Sequence, residues 1–190
     1  MHARNSLYMN NNVLIFLILL PLVTVAGELQ EVSDADRKAN PCLYDEQFKE
    51  FDFWIGEWDV HVANGTLAGH NEITREQRGC VLIENWASAS GGGGGSINYV
   101  DKITGEWVQV WNDASGSQIN IRGGVTEEGM LLVGTIHYVA AEQTLPFRGL
   151  WTLLEDGRVR QFFEQSNNSG ETWVPWFEGF YTRVGVQDQK

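Results

Sequence analysis

Two carboxylates, Glu84 and Glu164, are the residues of this chain best suited to acid–base chemistry, because a carboxyl enclosed in an apolar interior titrates high and can give or take a proton. Near them in type is a second group. Trp107, Gln109, Trp111 and Asp113 alternate with Val108 and Val110, so a strand here sets two indoles, an amide and a carboxylate on one face. Flat apolar walls with a few oriented hydrogen-bonding groups are the material of small-molecule sites. Turned outward, that face would expose two indoles to water, so the pattern favours an inward orientation. Trp86, two residues from Glu84, together with Asn98 and Gln161, completes the candidate ligand contacts. Glu164 alternates in phase with Arg158, Arg160 and Phe162, which leaves open both an ion pair in that row and a ligand role. Eight Trp, nine Phe and five Tyr also leave core packing open for any single aromatic.

Other chemistries lack their residues. There is no Gly-x-Ser-x-Gly elbow, and His61, His70 and His137 are isolated in sequence, so neither nucleophilic catalysis nor a metal site is expected. No cofactor is implied. The formal net charge of −12 repels polyanions, so nucleic acid and anionic membrane surfaces are not expected partners.

Residues 1–26 have the form of a signal peptide: Arg4, the apolar run Val13–Val23 broken by Pro21, then the small residues before Gly27. The run is shorter than the roughly 20 residues a membrane span needs, so no stable insertion is expected after cleavage. This places the protein in the periplasm or outside the cell. In such a compartment the cysteine pair Cys42 and Cys80 favours a disulfide over a metal site. Nothing in the sequence fixes an oligomeric state.

The elements that must position these residues follow from the punctuation. Residues 27–41 are polar and aperiodic and read as a flexible leader. Tyr44, Phe48 and Phe51 are spaced for a turn or two of helix, a plug or lid. Beyond Phe53, turn signals such as Asn64-Gly65, Thr104-Gly105, Ser115-Gly116, Asp156-Gly157 and Ser169-Gly170 separate ten strand-like segments, the first running Phe53–Val62 and the fourth Ser96–Asp101. Gly91–Gly95 reads as a flexible loop at a barrel mouth. Every link is short, which suits an all-β, ten-stranded antiparallel up-and-down barrel over residues 42–184, with a tail at 185–190. Ten strands enclose more room than eight, so an internal cavity is expected.

The block Phe51-Asp52-Phe53-Trp54-Ile55-Gly56-Glu57-Trp58-Asp59-Val60 resembles the opening of an uncharacterised bacterial family of calycin-like barrel domains, related in shape to nitrobindins and lipocalins. Glu84-Asn85-Trp86, Trp107-Val108-Gln109-Val110-Trp111, Asp156-Gly157-Arg158-Val159-Arg160-Gln161 and Phe177-Glu178-Gly179-Phe180-Tyr181 extend the resemblance over residues 42–184. It implies a closed barrel in which Arg183, from the last strand, stacks on Trp58 of the Gly-x-Trp, and it carries no activity. Haem, which nitrobindins hold through a His late in the chain, is disfavoured because residues 158–190 contain none. The sequence therefore points to an exported binding barrel for a partly apolar or aromatic metabolite or lipid. The alternative is a small enzyme, of isomerase or hydrolase type, using Glu84 and Glu164.

Overall fold

Alternating polar and apolar residues become ten antiparallel strands: β1 (Gly56–His61), β2 (Leu67–Glu76), β3 (Val81–Ser88), β4 (Gly93–Asp101), β5 (Glu106–Asp113), β6 (Gln118–Thr126), β7 (Gly129–Tyr138), β8 (Gln143–Leu153), β9 (Val159–Gln165) and β10 (Val174–Arg183). Each pairs with the next, and β1 also pairs with β10, from Trp58↔Arg183 to His61↔Phe180, so the sheet closes into a barrel. The computed structural model describes residues 32–185; the expected signal peptide, the first part of the expected leader and nearly all of the expected tail lie outside the described residues. Among the described residues no helix is long and apolar enough to cross a membrane.

The connections alternate between two ends. One end carries the β2–β3, β4–β5, β6–β7 and β8–β9 turns and is stoppered by the segment before β1. There the helix expected over Tyr44–Phe51 is instead a 3-10 turn at Glu46–Lys49, preceded by α1 (Asp34–Ala39) and α2 (Pro41–Tyr44) and followed by a second 3-10 turn at Asp52–Trp54. Residues 34–39, which the sequence places in an aperiodic leader, form a helical turn capped by Ser33, whose Oγ accepts from the Asp36 N–H at 3.1 Å. It buries no side chain.

The aromatic block does not open the first strand as expected. Trp54 N–H donates to the Phe51 carbonyl at 3.1 Å, so Phe53 and Trp54 sit in a 3-10 turn and β1 begins only at Gly56. Large aromatics in a row carry no period, and here the tertiary contacts decide. Phe51 stacks on Trp54 at 4.9 Å and meets the edges of Trp107 and Trp151 at 5.7 and 5.3 Å, filling the barrel end with rings.

Several ties hold this plug. Cys42 and Cys80 form a disulfide linking α2 to the β2–β3 corner. Arg75 donates to the carbonyls of Phe48 and Gly79 and pairs with Asp52. Gln47 donates to the Gly105 carbonyl at 2.6 Å. Lys102 reaches Asp45 at 2.9 Å. At the same end the Arg183 guanidinium lies 4.3 Å from the Trp58 ring, as the resemblance implies. Gly56 has φ 142°, and a Cβ there would run into Arg183 Nη1, so the glycine of the Gly-x-Trp makes room for the stack.

The opposite end is the mouth. The glycine run lies there, but only Gly91 and Gly92 form the turn; Gly93–Gly95 are strand, paired with Ala87, Trp86 and Asn85. A Cβ at Gly94 would stand 2.5 Å from the Trp111 indole. The glycines are thus spacers for a ring as well as hinge material.

Candidate functional site

Between the plug and the mouth the barrel holds a polar layer. The inward positions of β2, β3, β4, β5, β9 and β10 at this depth are Asn71, Glu84, Ser96 with Asn98, Gln109, Gln161 and Tyr181, all buried. They form one hydrogen-bonded chain. Asn71 Nδ2 donates to Glu84 Oε1 at 2.8 Å and to the Tyr181 hydroxyl at 3.2 Å. Ser96 Oγ donates to Glu84 Oε2 at 2.6 Å and is itself held by Asn98 Nδ2 at 2.8 Å. Gln109 Nε2 donates to Asn98 Oδ1 at 2.9 Å, and Tyr181 donates to Gln161 Oε1 at 2.5 Å.

Among the described residues no cation balances Glu84. Burial pushes its carboxyl above the ordinary glutamate range, while hydrogen bonds from Ser96 and Asn71 pull it back part of the way. Burial likewise pushes the Tyr181 phenol well up, and the neighbouring Glu84 charge adds to the shift. Asn71 Oδ1 is buried without a partner.

Above this layer lies a cavity of about 260 Å³ that reaches the mouth. Its floor is Glu84, Gln109, Gln161 and Tyr181; its walls are Trp86, Trp111, Phe163, Trp176 and Phe177; Ser88 and Asp113 stand at the rim. Several wall rings lie over a glycine of the neighbouring strand or of their own. A Cβ at Gly69 would be 2.7 Å from Trp86 and one at Gly179 2.7 Å from Phe177, while one at Gly149 would overlap Phe163. Any side chain at those glycines would push a ring into the cavity or out of it. Trp176 is fixed from outside: its Nε1 donates to the Tyr138 hydroxyl at 2.8 Å, which in turn donates to Gln165 Oε1 at 2.6 Å.

No family model matches the chain, and no curated protein matches it at a significant level. The site must be read from its own geometry.

Of the residues singled out from sequence, Glu84, Trp86, Gln109, Trp111 and Gln161 line the cavity together. Asn98 lies one layer deeper, where it orients Ser96 and Gln109. Trp107 faces inward but packs against the plug, with its Nε1 on Glu50 Oε2 at 3.1 Å, and does not reach the cavity. Glu164 is on the outer face. It pairs with Arg148 at 2.7 Å, and Arg148 lies over the Trp173 ring, so the pairing of Glu84 with Glu164 is not formed. Among the described residues no three His, Cys, Asp or Glu side chains converge to hold a metal ion.

Tyr181, Asn71, Ser96, Phe163, Trp176 and Phe177 are site residues that the sequence patterns do not single out. Phe163 follows Gln161 by two residues and is reachable by alternation. Trp176 and Phe177 both line the cavity because the β9–β10 register shifts between Pro175 and Phe177, a bulge that sets two consecutive residues inward.

Proposed function

We propose that this protein is an exported small-molecule-binding barrel of calycin-like type, whose ligand is a compact, partly aromatic or apolar metabolite. The observation that carries the reading is the 260 Å³ cavity with ring walls and a hydrogen-bonded polar floor. A 150 Å³ apolar cavity holds benzene, so this one suits a ligand of about ten non-hydrogen atoms. That favours a small metabolite over a long-chain lipid. The disulfide and the sequence of residues 1–26 support export, and the Arg183–Trp58 stack over Gly56 supports the calycin-like kinship.

The floor suits recognition because its donors and acceptors are already fixed by one another. Gln109 uses Nε2 within the network and Gln161 uses Oε1, so Gln109 Oε1 and Gln161 Nε2 are left to serve a ligand. Orientation is settled before binding, which lowers the entropy cost of ordering the site.

The test is a thermal-shift and Trp-fluorescence screen of the purified protein against neutral aromatic and aliphatic metabolites of this size. A ligand at a hundred times its Kd stabilises the fold by about 2.7 kcal/mol, which for a domain of this length raises Tm by roughly 5–10 °C. Trp111→Leu should weaken the hit at least tenfold. A screen without any Trp111-dependent hit would overturn the reading.

A further inference from the structure

We infer that the ligand of this cavity is a small organic ammonium ion, its nitrogen held at Glu84 and its apolar body lying against Trp86, Trp111 and Phe177. The inference rests on the ligand-binding reading above and adds the charge of the ligand to it.

Charge is the first argument. The titratable residues lining the cavity are Glu84, Asp113 and Tyr181, and among the described residues no Lys, Arg or His lines it. The nearest arginines on β8 and β9 face outward and are engaged, Arg148 by Glu164 and Arg160 by Glu178. An anionic ligand would meet only like charge here. A neutral one would leave Glu84 holding its proton, whereas an ammonium would supply the counterion that the described residues lining the cavity do not.

Geometry is the second. Each Glu84 oxygen accepts one bond, from Asn71 or Ser96, and each retains a lone pair for another donor. An ammonium brings several donors and a positive charge to that point. Trp86 and Phe177 pack together at 6.4 Å on one wall and Trp111 stands on another, so a cation on the floor has aromatic rings beside it. Aromatic faces attract cations through their quadrupole, and tryptophan does so best. The net charge of −12 and Asp113 at the rim draw cations toward the mouth.

Three probes of matched size decide the matter: phenethylammonium, neutral 2-phenylethanol and anionic 3-phenylpropanoate, measured by calorimetry and Trp fluorescence at pH 7.5. The ammonium should bind about tenfold or more tighter than the alcohol, and the carboxylate more weakly than either. Glu84→Gln should reduce the ratio of ammonium to alcohol affinity to about one to three. Ammonium affinity should also rise with pH as Glu84 loses its proton, by no more than about tenfold per pH unit. Asp113 and Tyr181 are the other titratable groups facing the site, and Asp113→Asn should leave that slope unchanged.

If the alcohol binds as tightly as the ammonium, the charge inference falls while the binding reading stands. If none of the three binds, the inference also falls, and the neutral screen decides the binding reading separately. Should Glu84→Gln fail to fold, the ranking of the three probes on the unmodified protein is sufficient by itself to support or overturn the inference.

Discussion

Replacing Phe51 by Ala tests whether the stopper is part of the cooperative fold or a separate attachment. Phe51 is fully buried and touches Trp54, Trp107 and Trp151, so its ring belongs to the plug and the barrel wall at once. A buried aromatic of roughly 200 Å² at about 25 cal/mol/Å² gives about 5 kcal/mol gross, an upper bound that part of the side chain retains in Ala. The three ring contacts each add about 0.5–1.5 kcal/mol, and the space left behind cannot collapse because strands frame it. Large-to-small losses at such sites run at about 3–5 kcal/mol, so we expect about 4 kcal/mol, or roughly 8–16 °C in Tm for a domain of this length. Urea unfolding followed by Trp fluorescence and far-UV circular dichroism should show one transition moved to lower denaturant with an unchanged slope. A loss below about 1.5 kcal/mol, or two separated transitions, would mean that the plug does not share the stability of the barrel.

Further outcomes follow from the same contacts. Changing Cys42 and Cys80 to Ser removes a bridge between residues 38 apart, and the chain-entropy model gives a loss of about 4 kcal/mol, readable by denaturation with and without reductant; equal stability in both conditions would contradict it. Arg183→Met should cost about 0.5–2 kcal/mol through loss of the Trp58 stack, and ligand affinity should not change, since both residues sit at the plug end. Because burial raises the Glu84 carboxyl, its protonated form is the one the fold favours. Its contribution is therefore fully present below the ordinary glutamate range and is lost as pH rises through its higher folded value. Glu84→Gln should accordingly gain in stability relative to the unmodified protein as pH rises from about 4 to 8, by at most about 1.4 kcal/mol per pH unit; urea titrations showing a constant difference would refute this.

Much of this architecture is legible in the sequence because strands and turns write themselves locally. β2 runs from Leu67 to Glu76 as its alternation and flanking turns indicate, and most other strand ends differ from the sequence expectation by one to three residues. Depth along the barrel is not legible. Trp107 and Trp111 share a face, yet four residues of strand separate them by about 13 Å, enough to put one in the plug and the other in the cavity. Parity separates two of the candidates: Gln161 and Glu164 are three apart on β9, so only one of them can face inward. The bulge at Trp176 breaks that parity, and Pro175 beside it is the only local hint, since proline in a strand favours bulges and unpaired edges. Tyr44, Phe48 and Phe51 carry the spacing of a helix, but Asp45 and Asp52 open shorter turns in the plug that this spacing does not encode.

The bridge between Cys42 and Cys80 has a mechanical corollary. It welds shut the base of what is in effect a cup, whereas the rim hairpins are joined only by backbone bonds and by side chains such as Trp176 and Tyr138. On the binding reading proposed above, a guest would enter and leave over the rim, the end of the barrel that the plug does not cover.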